Sequence, residues 1–494
     1  MLFNSYVYLL LFLPITQIIY FYLNKKRIIV GAKAWLVVAS LFFYSYWKLE
    51  YLPLILVSIL FNYVIGYAIS AKNEGQRIGF NRKSMLGFGI TVNVLALCYF
   101  KYMDFFIENM NDYVGTNYNL LNVILPLAIS FFTFQQIAYL VDSYKGTKEY
   151  DFLSYCLFVT FFPQLIAGPI VHHSEMMPQF NKVKNKALNW KNMYYGLVIF
   201  GFGLFKKVVI ADYICKFANS GFANASELNL IEGWFTSLAY TLQLYFDFSG
   251  YTDMAIGSAL LFNIKLPINF NSPYKALDIQ DFWRRWHMTL SRWLRDYLYI
   301  PLGGNRKGKI RTYNNLFITF LIGGFWHGAG WTFIIWGAMH GIACVIHKIW
   351  KELGFKLNKF IAWFVTFNFI NLTWVFFRSE NLDQAKSVIK AMFGFNGIVL
   401  PKFMRFVSNF YEGTNVVFSK WEANVIIQNH VKDAHITRTL VYLILVIIAV
   451  VVSPNVMQIK KKFNNKIFLL LIPLMIGYCI SLFGNVSEFI YFNF

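Results

Sequence analysis

The stretch LPLILVSILFNYVIGYAI at residues 52–69 contains no charged side chain. An α-helix rises about 1.5 Å per residue, so this stretch nearly crosses a hydrocarbon core of about 30 Å. Three further apolar runs have a similar character: Tyr6–Leu23, Trp363–Val375 and Leu440–Val452. The sequence therefore predicts an all-α, polytopic membrane protein that crosses the bilayer several times.

The composition supports this fold class. Of the 494 residues, 57% are hydrophobic and only 14% are charged, whereas soluble domains carry about 25% charged residues. The first apolar run is expected to stay as a helix rather than be removed as a signal peptide. Met1–Tyr6 carries no basic side chain, and no small-residue cleavage site follows Leu13. The sequence predicts a single transmembrane domain over residues 1–494.

The net charge of +21 indicates membrane topology rather than a nucleic-acid surface. Basic side chains concentrate in short loops at residues 25–27, 72–83, 305–311 and 460–466. Positively charged loops stay on the cytoplasmic side of a membrane, so both termini and the acidic loop at 108–119 are predicted to be extracytoplasmic. The polar segment 381–436 is predicted to lie outside as well, inserted before the last two spans.

The five cysteines form no CxxC pair and lie within or beside apolar segments. Thiols in such places pack as small hydrophobic side chains. The sequence also contains no HExxH, P-loop or GxSxG pattern. These observations predict no metal site, and they argue against metal-dependent hydrolysis and ATP-driven chemistry.

The segment FFPQLIAGPI at residues 161–170 interrupts an apolar run with two prolines and a glycine. Proline removes a backbone donor, and non-helical backbone at membrane depth is tolerated only where protein or a water-filled cavity surrounds it. The segment is therefore predicted to be a broken or re-entrant helix that lines a cavity, with Gln164 on the cavity wall. His172 and His173 follow directly and are expected to have a structural role at the interface.

A second interruption, YFDFSGYTDMAIG at residues 245–257, places Asp247 and Asp253 between the apolar stretches 231–246 and 254–263. Ionisable residues inside a span are costly and mark functional positions. Asp and Ser also cap a helix that restarts after a break. The stretch is therefore predicted to be a polar joint, which either faces a cavity or mainly caps the second helix.

The stretch DFWRRWHMTLSRWLRDYLYIPLGG at residues 281–304 concentrates four arginines and a histidine in an apolar chain. Asp278 suits the N-cap of a helix, and Pro301 with the following glycines ends that helix near Ile300. One face of the helix would carry Arg284, His287, Ser291 and Arg295. Two i,i+4 ion pairs are expected, Asp281–Arg285 and Arg292–Asp296. Such a helix either lies at the cytoplasmic interface or dips into a polar cavity inside the bundle.

The stretch GGFWHGAGW at residues 323–331 places His327 in an apolar span that begins near Phe317. Each glycine costs a helix about 1 kcal/mol and allows another group to approach the backbone closely. A glycine cluster around a histidine therefore indicates a site. His340, one span further on, has fewer glycines around it and is predicted to pack between helices.

These residues resemble the membrane-bound O-acyltransferase (MBOAT) family. DFWRRWHMTLSRWLRDYLYIPLGGNRKG followed by GGFWHGAGWTFIIWGAMHG is similar to the bacterial branch that acetylates alginate, peptidoglycan or other exported polysaccharides. ISFFTFQQIAYLVDSY (129–144), FFPQLIAGPI, YFDFSGYTDMAIG and WVFFRSEN (374–381) resemble that branch in the same order. The resemblance implies a helical bundle with broken helices around a central tunnel.

The resemblance also implies roles for two histidines. In such enzymes the residue matching His327 is the essential one, and the residue matching His287 is its functional partner. Imidazole serves as a base or a nucleophile near neutral pH, so we expect His327 to be the base or the transient acyl acceptor. His287 is expected to polarise the carbonyl or move the proton. The expected donor is acetyl-CoA, which is a substrate, and no bound cofactor is expected.

Further residues are predicted around the two histidines. Donor binding is assigned to Arg284, Arg295, Trp286, Trp326 and Ser291, with the arginines pairing with donor phosphates. Cavity walls are assigned to Gly323, Gly324, Gly328, Asp247, Asp253 and Gln164.

The predicted reaction carries an acetyl group from a cytoplasmic thioester to an extracytoplasmic polysaccharide, at the inner membrane of a bacterium. Transfer is expected to be direct or to pass through a periplasmic SGNH-type acetyltransferase, and the acceptor stays open between alginate, peptidoglycan and similar polymers. Two alternatives stay open: D-alanyl-type transfer from a carrier protein, and a transporter or flippase. Transporters commonly show two related halves, and residues 1–250 contain no second copy of the Trp–His pattern.

Overall fold

A computed structural model describes residues 1–70, 81–146, 151–401, 416–419, 436–459, 467–485 and 489–490. Lys72, Arg77, the basic loop 460–466 and most of the polar segment 381–436 lie outside these residues, so their placement stays a prediction. Contacts divide the chain into two compact units. The first contains Met1–Phe205, Ser249–Asn269 and Val456–Asn493, and the second contains Lys206–Phe248 and Phe270–Asn455.

Long apolar helices dominate the described residues. Five of them have the length and composition to cross a membrane, namely Val7–Lys25, Leu49–Ile69, Arg82–Val114, Trp331–Glu352 and Lys359–Arg378. Shorter apolar helices lie at Ile29–Ser45, Thr439–Val452 and Phe468–Ser481. The predicted class, a helical protein that crosses the membrane several times, is confirmed.

The described part of the first unit consists of helices and their connections. Its helices are Leu13–Lys25, Ile29–Ser45, Leu52–Ile69, Arg82–Leu97, Met103–Val114, Ile129–Tyr144, Phe152–Thr160, Phe162–Leu165, His173–Asn181, Trp190–Phe205, the second part of Leu230–Leu261, Val456–Ile459 and Ile467–Ser481. Glu108 and Asp112 lie within the helix that ends at Gly115, whose φ is +78°. The predicted acidic loop at 108–119 is therefore wrong over its first half, because these acidic residues alternate with apolar ones at helical spacing.

Helix Leu230–Leu261 is continuous for 32 residues, so the predicted joint at 245–257 is wrong. The glycines of this stretch form a helix crossing with helix Trp190–Phe205. Two glycine pairs meet there, Gly203 with Gly250 and Gly196 with Gly257. A Cβ on Gly203 would lie 2.6 Å from the Gly250 carbonyl oxygen, and small residues at such crossings let membrane helices approach closely. Asp253 is buried beside this crossing rather than at a helix cap.

The predicted break at residues 161–170 is confirmed. Helix Phe152–Thr160 ends there, a single turn follows at Phe162–Leu165, and the next helix begins only at His173. A Cβ on Gly168 would lie 2.4 Å from the backbone of the preceding turn. Glycine is therefore needed where the chain folds back on itself.

Two polar side chains hold this broken segment in the first unit. Gln164 is buried, and its Nε2 donates a hydrogen bond to the Phe158 carbonyl oxygen (2.6 Å). His173 is buried between the rings of Tyr139 and Phe158, with centroid distances of 5.4 and 5.2 Å. The packing of His173 agrees with the structural role predicted for it.

The second unit is also mainly helical in its described part. Its helices are Asp212–Ala223, the first part of Leu230–Leu261, Ile279–Trp283, Met288–Leu294, Lys309–His327, Trp331–Glu352, Lys359–Arg378, Leu382–Met392 and Ile436–Val452. Wider π-helical turns lie at Lys206–Ala211 and Arg295–Tyr299. Strands Ile398–Pro401 and Val416–Ser419 pair in parallel within the polar segment, and this small ladder was not predicted.

The helices on either side of residues 328–330 pack unusually closely. Gly324 faces Gly337, and Gly341 faces Phe317, so the two helices run antiparallel. A Cβ on Gly324 would lie 2.8 Å from the Gly337 Cα. Gly324 therefore serves the contact between these helices.

Candidate active site

The stretch at 281–304 begins with two short helices rather than one long helix. The Asp278 carboxylate accepts a hydrogen bond from a backbone N–H of the first turn (2.7 Å) and caps helix Ile279–Trp283, as predicted. Helix Met288–Leu294 starts after His287, whose φ of +42° lies in the left-handed region. The predicted continuous helix is wrong, because the chain turns between these two helices.

The charges of this stretch are partly paired. Arg285 Nε lies 2.9 Å from Asp281 Oδ1, which is one of the predicted ion pairs. Asp296 Oδ1 lies 2.7 Å from Nε of its neighbour Arg295, at the start of a π-helical turn. The Arg295 side chain is 60% exposed, and an ion pair at such a surface position contributes at most about 1 kcal/mol.

His287 is fully buried. The ring of Phe248 meets the imidazole at 4.8 Å and 87°, and the ring of Phe270 lies 6.5 Å away. Left-handed backbone costs a residue other than glycine about 1–2 kcal/mol, and it persists only where the surroundings over-determine it. The packing around His287 therefore holds a conformation that the local sequence does not favour.

His327 is the last residue of helix Lys309–His327, at the end of the span rather than inside it. It is 4% exposed. The rings of Trp326, Trp336 and Phe377 surround the imidazole at centroid distances of 4.9, 5.2 and 5.1 Å. These aromatic contacts fix the ring without backbone strain.

Gly328 makes room for one of the rings behind His327. A Cβ on Gly328 would lie 2.1 Å from the Phe333 ring, whereas a Cβ on Gly330 would have its nearest neighbour at 3.7 Å. Phe333 in turn contacts Phe377 at 5.2 Å. The glycine next to His327 therefore serves the packing of its aromatic surroundings.

A cavity of about 640 Å³ lies in the second unit, and His327 forms part of its wall. Its aromatic walls include Trp283, Phe320 and Trp336. Four cationic side chains also line it, namely Arg284, Arg292, Arg295 and Lys348, and the described lining contains no carboxylate. The cavity has the size typical of small-molecule sites, and its charge suits an anionic ligand.

The structure brings some predicted site residues together and separates others. Arg284, Ser291, Arg295, Gly323 and His327 line the cavity. Trp286, His287, Trp326, Gly324, Gly328 and Asp247 belong to the same unit but are not among its lining residues. Asp253 and Gln164 belong to the first unit. In the described part of the chain, no three His, Cys, Asp or Glu side chains converge to hold a metal ion.

Trp286 packs in an aromatic cluster instead of on the cavity wall. It is 1% exposed, and it stacks on Phe282 at 5.6 Å and 16°. Trp283 lies on the wall, and its Nε1 donates a hydrogen bond to His340 Nδ1 (3.2 Å). Because the chain breaks before His287, Trp283 and not Trp286 faces the cavity. The predicted continuous helix did not include this break and therefore assigned the wrong tryptophan.

His340 packs between helices, as predicted. It is fully buried, and its Nε2 lies 3.1 Å from Thr373 Oγ1. The Thr373 hydroxyl donates its hydrogen to the Ile370 carbonyl oxygen (2.8 Å), so we assign the imidazole hydrogen to Nε2 and the acceptor to Nδ1. Both nitrogens of His340 are thus used in the protein interior.

Asp247 belongs to a buried cluster of charges. Lys207 Nζ lies 2.7 Å from both Asp212 Oδ1 and Asp247 Oδ1, and all three side chains are at most 5% exposed. Removing one partner of a buried ion pair typically costs about 3–5 kcal/mol. Lys207 was not among the predicted site residues, although a lysine pair directly after the apolar run GFGLF and before an aspartate was a usable signal.

Comparisons with known proteins match these residues to one family. The model of MBOAT, the membrane-bound O-acyltransferase family, matches residues 146–378, a range that contains His287 and His327. The chain is 47% identical to a peptidoglycan O-acetyltransferase of Helicobacter pylori, over 100% of this chain and 98% of that protein. It is 40% identical to a protein of Pseudomonas aeruginosa named "Probable alginate O-acetylase AlgI", over 80% of this chain and 75% of that one.

A more distant match is a teichoic acid D-alanyltransferase of Streptococcus thermophilus. It is 30% identical over 51% of this chain and 68% of its own length. Together with the match of the family model and the apolar helices, these similarities confirm the resemblance drawn from the motifs. The chain belongs to the membrane-bound O-acyltransferase family and is a multi-pass membrane acyltransferase.

Proposed function

We propose that this acyltransferase transfers an acetyl group from a thioester donor to a hydroxyl group of a cell-envelope polysaccharide. The observation that carries the proposal is the cavity in which His327 lies among aromatic walls and four cationic side chains. Imidazole can supply the base or the nucleophile of acyl transfer. The cations can hold a donor that bears phosphate groups.

The reaction can follow one of two routes at His327. In the direct route, the imidazole accepts the proton of the polymer hydroxyl while that oxygen attacks the thioester carbonyl carbon. The C–S bond then breaks, and the proton passes to the departing thiolate. In the two-step route, one imidazole nitrogen attacks the thioester carbonyl carbon, the C–S bond breaks, and the hydrogen on the other ring nitrogen passes to the departing thiolate. The polymer hydroxyl oxygen then attacks the acetyl carbon, the C–N bond breaks, and the hydroxyl hydrogen returns to the ring. Each route yields one ester and one thiol.

His287 has a narrower role in this proposal. Its ring is fully buried, and the next residue, Met288, is the one that lines the cavity. A group that polarises the donor carbonyl or moves its proton must reach the reacting atoms, and His287 is not part of the wall. We therefore assign to His287 the positioning of the cavity wall.

The proposed donor is acetyl-CoA, bound as a substrate. Arg284 and Arg295 are exposed side chains on the cavity lining, and guanidinium groups form strong, charge-assisted hydrogen bonds to phosphates. Arg292 and Lys348 extend the same positive lining. A thioester on a carrier protein stays the alternative donor, and an isolated membrane assay distinguishes the two.

Peptidoglycan is the acceptor that we favour. The relative named peptidoglycan O-acetyltransferase aligns along the whole chain, whereas the alginate relative covers 80% of it and the D-alanyltransferase 51%. Alginate or a similar polymer is the second choice. A periplasmic SGNH-type acetyltransferase is the partner that we propose where the polymer does not reach the site itself.

We place the protein in the inner membrane of a bacterium, with the cationic side of the cavity toward the cytoplasm. Arginine and lysine near the ends of spans favour the cytoplasmic side. The chain would then have both termini outside the cytoplasm. Reporter proteins fused to each terminus test this orientation. Activity, at both termini, of a reporter that works only in the cytoplasm would contradict it.

The function is tested in a deletion strain and its membranes. Wild type, His327→Ala and a control, His172→Ala, are compared for base-labile acetyl esters on purified peptidoglycan and for transfer of label from acetyl-CoA. We expect esters with wild type and with His172→Ala, and none with His327→Ala at equal protein levels. Unchanged esters in His327→Ala would overturn the enzyme assignment. D-alanyl esters would overturn the assignment of acetyl as the transferred group. Movement of a solute across the membrane without ester formation would favour a transporter.

A further inference from the structure

The proposed reaction leaves one buried group of charges without a role. Lys207 lies in the π-helical turn Lys206–Ala211, and Asp212 begins the helix that follows directly. Their ion pair is therefore local in the chain. Asp247 lies on helix Leu230–Leu261, so the 2.7 Å contact between Lys207 and Asp247 joins two separate elements.

Asp247 is followed by a residue that touches one of the two histidines. Phe248 is fully buried, and its ring meets His287 at 4.8 Å and Phe270 at 5.0 Å. Successive residues of a helix point about 100° apart, so the ion pair fixes one face of the helix and Phe248 occupies the next. A rotation that releases Asp247 would also move the Phe248 ring away from His287.

His287 depends on such support more than most residues. Its left-handed backbone, with φ of +42°, persists only if its surroundings exclude the alternatives. Neutral hydrogen bonds hold the same helix at Thr241, whose Oγ1 donates to Asn371 Oδ1 (2.7 Å) and whose carbonyl oxygen accepts from Tyr274 Oη (2.7 Å). Asp247 is closer to Phe248 along the chain than Thr241 is, so its ion pair is the contact next to Phe248 on this helix.

We propose that Asp247 is a positioning residue for acyl transfer. Through its ion pair with Lys207 it holds Phe248 against His287 and keeps His287 in its left-handed conformation. Asp212 binds the same lysine from a different helix and does not position Phe248. The inference rests on the role proposed above for His287.

The two aspartates provide a matched comparison. Asp247→Leu and Asp212→Leu each remove one carboxylate and leave Lys207 with one of its two aspartates. We expect Asp247→Leu to lower the turnover number about tenfold with little change in the KM of the donor, because a misplaced group slows the chemical step. Asp212→Leu is expected to stay within about twofold of wild type. Equal losses in the two variants would overturn the inference.

A double-mutant cycle separates positioning from general stability. Residues that act through one another show non-additive effects, so adding Asp247→Leu to His287→Ala is expected to cause no further loss of turnover. A further tenfold loss in that background would contradict the inference. If His287→Ala alone keeps wild-type turnover, the proposed role of His287 fails instead. If His287→Ala is impaired and Asp247→Leu is not, only the positioning role fails.

All variants are compared at equal amounts of folded protein, measured by size-exclusion chromatography in detergent. If Asp247→Leu does not accumulate, Phe248→Leu replaces it, because this change keeps the ion pairs and removes only the ring. The inference expects a similar loss of turnover from Phe248→Leu, again absent in the His287→Ala background. Full turnover of Phe248→Leu would overturn the inference.

Discussion

His327 and His287 are both buried histidines of the second unit, yet different forces hold them. His327 ends a helix, has aromatic rings around it and lines the cavity. His287 lies in a left-handed turn, and its neighbour Met288 takes the place on the wall. Both histidines are buried, so burial does not distinguish their roles. Access to the cavity distinguishes the residue suited to chemistry, and backbone strain marks the residue that needs support.

Replacing His327 should have the largest effect. His327→Ala removes the base or nucleophile while its aromatic surroundings remain, so turnover should fall about 1,000-fold, at saturating donor. The measurement is the initial rate of ester formation by purified protein in lipid. A loss below about tenfold would show that His327 only packs, as His340 does.

Replacing His287 should have a smaller effect and should separate its side chain from its backbone. Asparagine adopts left-handed backbone more readily than most residues, so His287→Asn should lose less thermal stability than His287→Ala. Its turnover should still fall about 100-fold, because the imidazole no longer packs against Phe248 and the cavity wall at Met288 is displaced. His287→Ala should lose both stability and turnover. Wild-type turnover in His287→Asn would mean that only the backbone conformation matters.

The glycines on either side of Ala329 form a pair that differs mainly in space. Gly328→Ala would place a Cβ against the Phe333 ring behind His327, whereas Gly330 has room for one. We expect Gly328→Ala to lower turnover about tenfold through displacement of the rings around His327. Gly330→Ala should change turnover little. Equal rates for the two variants would show that the packing behind His327 is not important.

Replacing cationic side chains of the cavity lining should have the smallest effect, and it should weaken donor binding alone. Arg284→Ala and Arg295→Ala should each raise the KM of acetyl-CoA about fivefold and leave the turnover number unchanged, because exposed charges are screened by water and salt. The effect should shrink at high ionic strength. Lys386→Ala, an exposed lysine outside the cavity lining, is the control. A change in turnover number without a change in KM would contradict the assignment.

Several features of the fold could be predicted from local chemistry. Uncharged apolar runs predicted the spans, and the prolines of residues 161–170 predicted the break there, because proline acts on its own backbone. The break before His287 could not be predicted, since no proline or glycine marks it. The continuity of helix Leu230–Leu261 was also missed, because Asp247 is stabilised by Lys207 from a distant part of the chain.

The candidate site shows the same division. Arg284, Ser291 and Arg295 reach the cavity, although the continuous helix used to group them is wrong. Gly324 and Gly328 were assigned to a cavity wall, but they make room for Gly337 and Phe333. A glycine in the sequence indicates that another group approaches its backbone closely, but it does not show whether that group is a ligand or a neighbouring part of the protein. Arg292 and Lys348 were not assigned to the site, because their place on the cavity depends on tertiary packing.

The central claim is that His327 acts on a donor held in the cationic cavity. The most direct measurement compares binding with turnover in purified His327→Ala, using a non-reactive thioether analogue of acetyl-CoA for binding. We predict that the variant binds the analogue with nearly wild-type affinity and forms ester at about a thousandth of the wild-type rate, while Arg284→Ala binds it more weakly. Ester formation by His327→Ala within about tenfold of the wild-type rate, or loss of binding in His327→Ala without loss in Arg284→Ala, would contradict the claim.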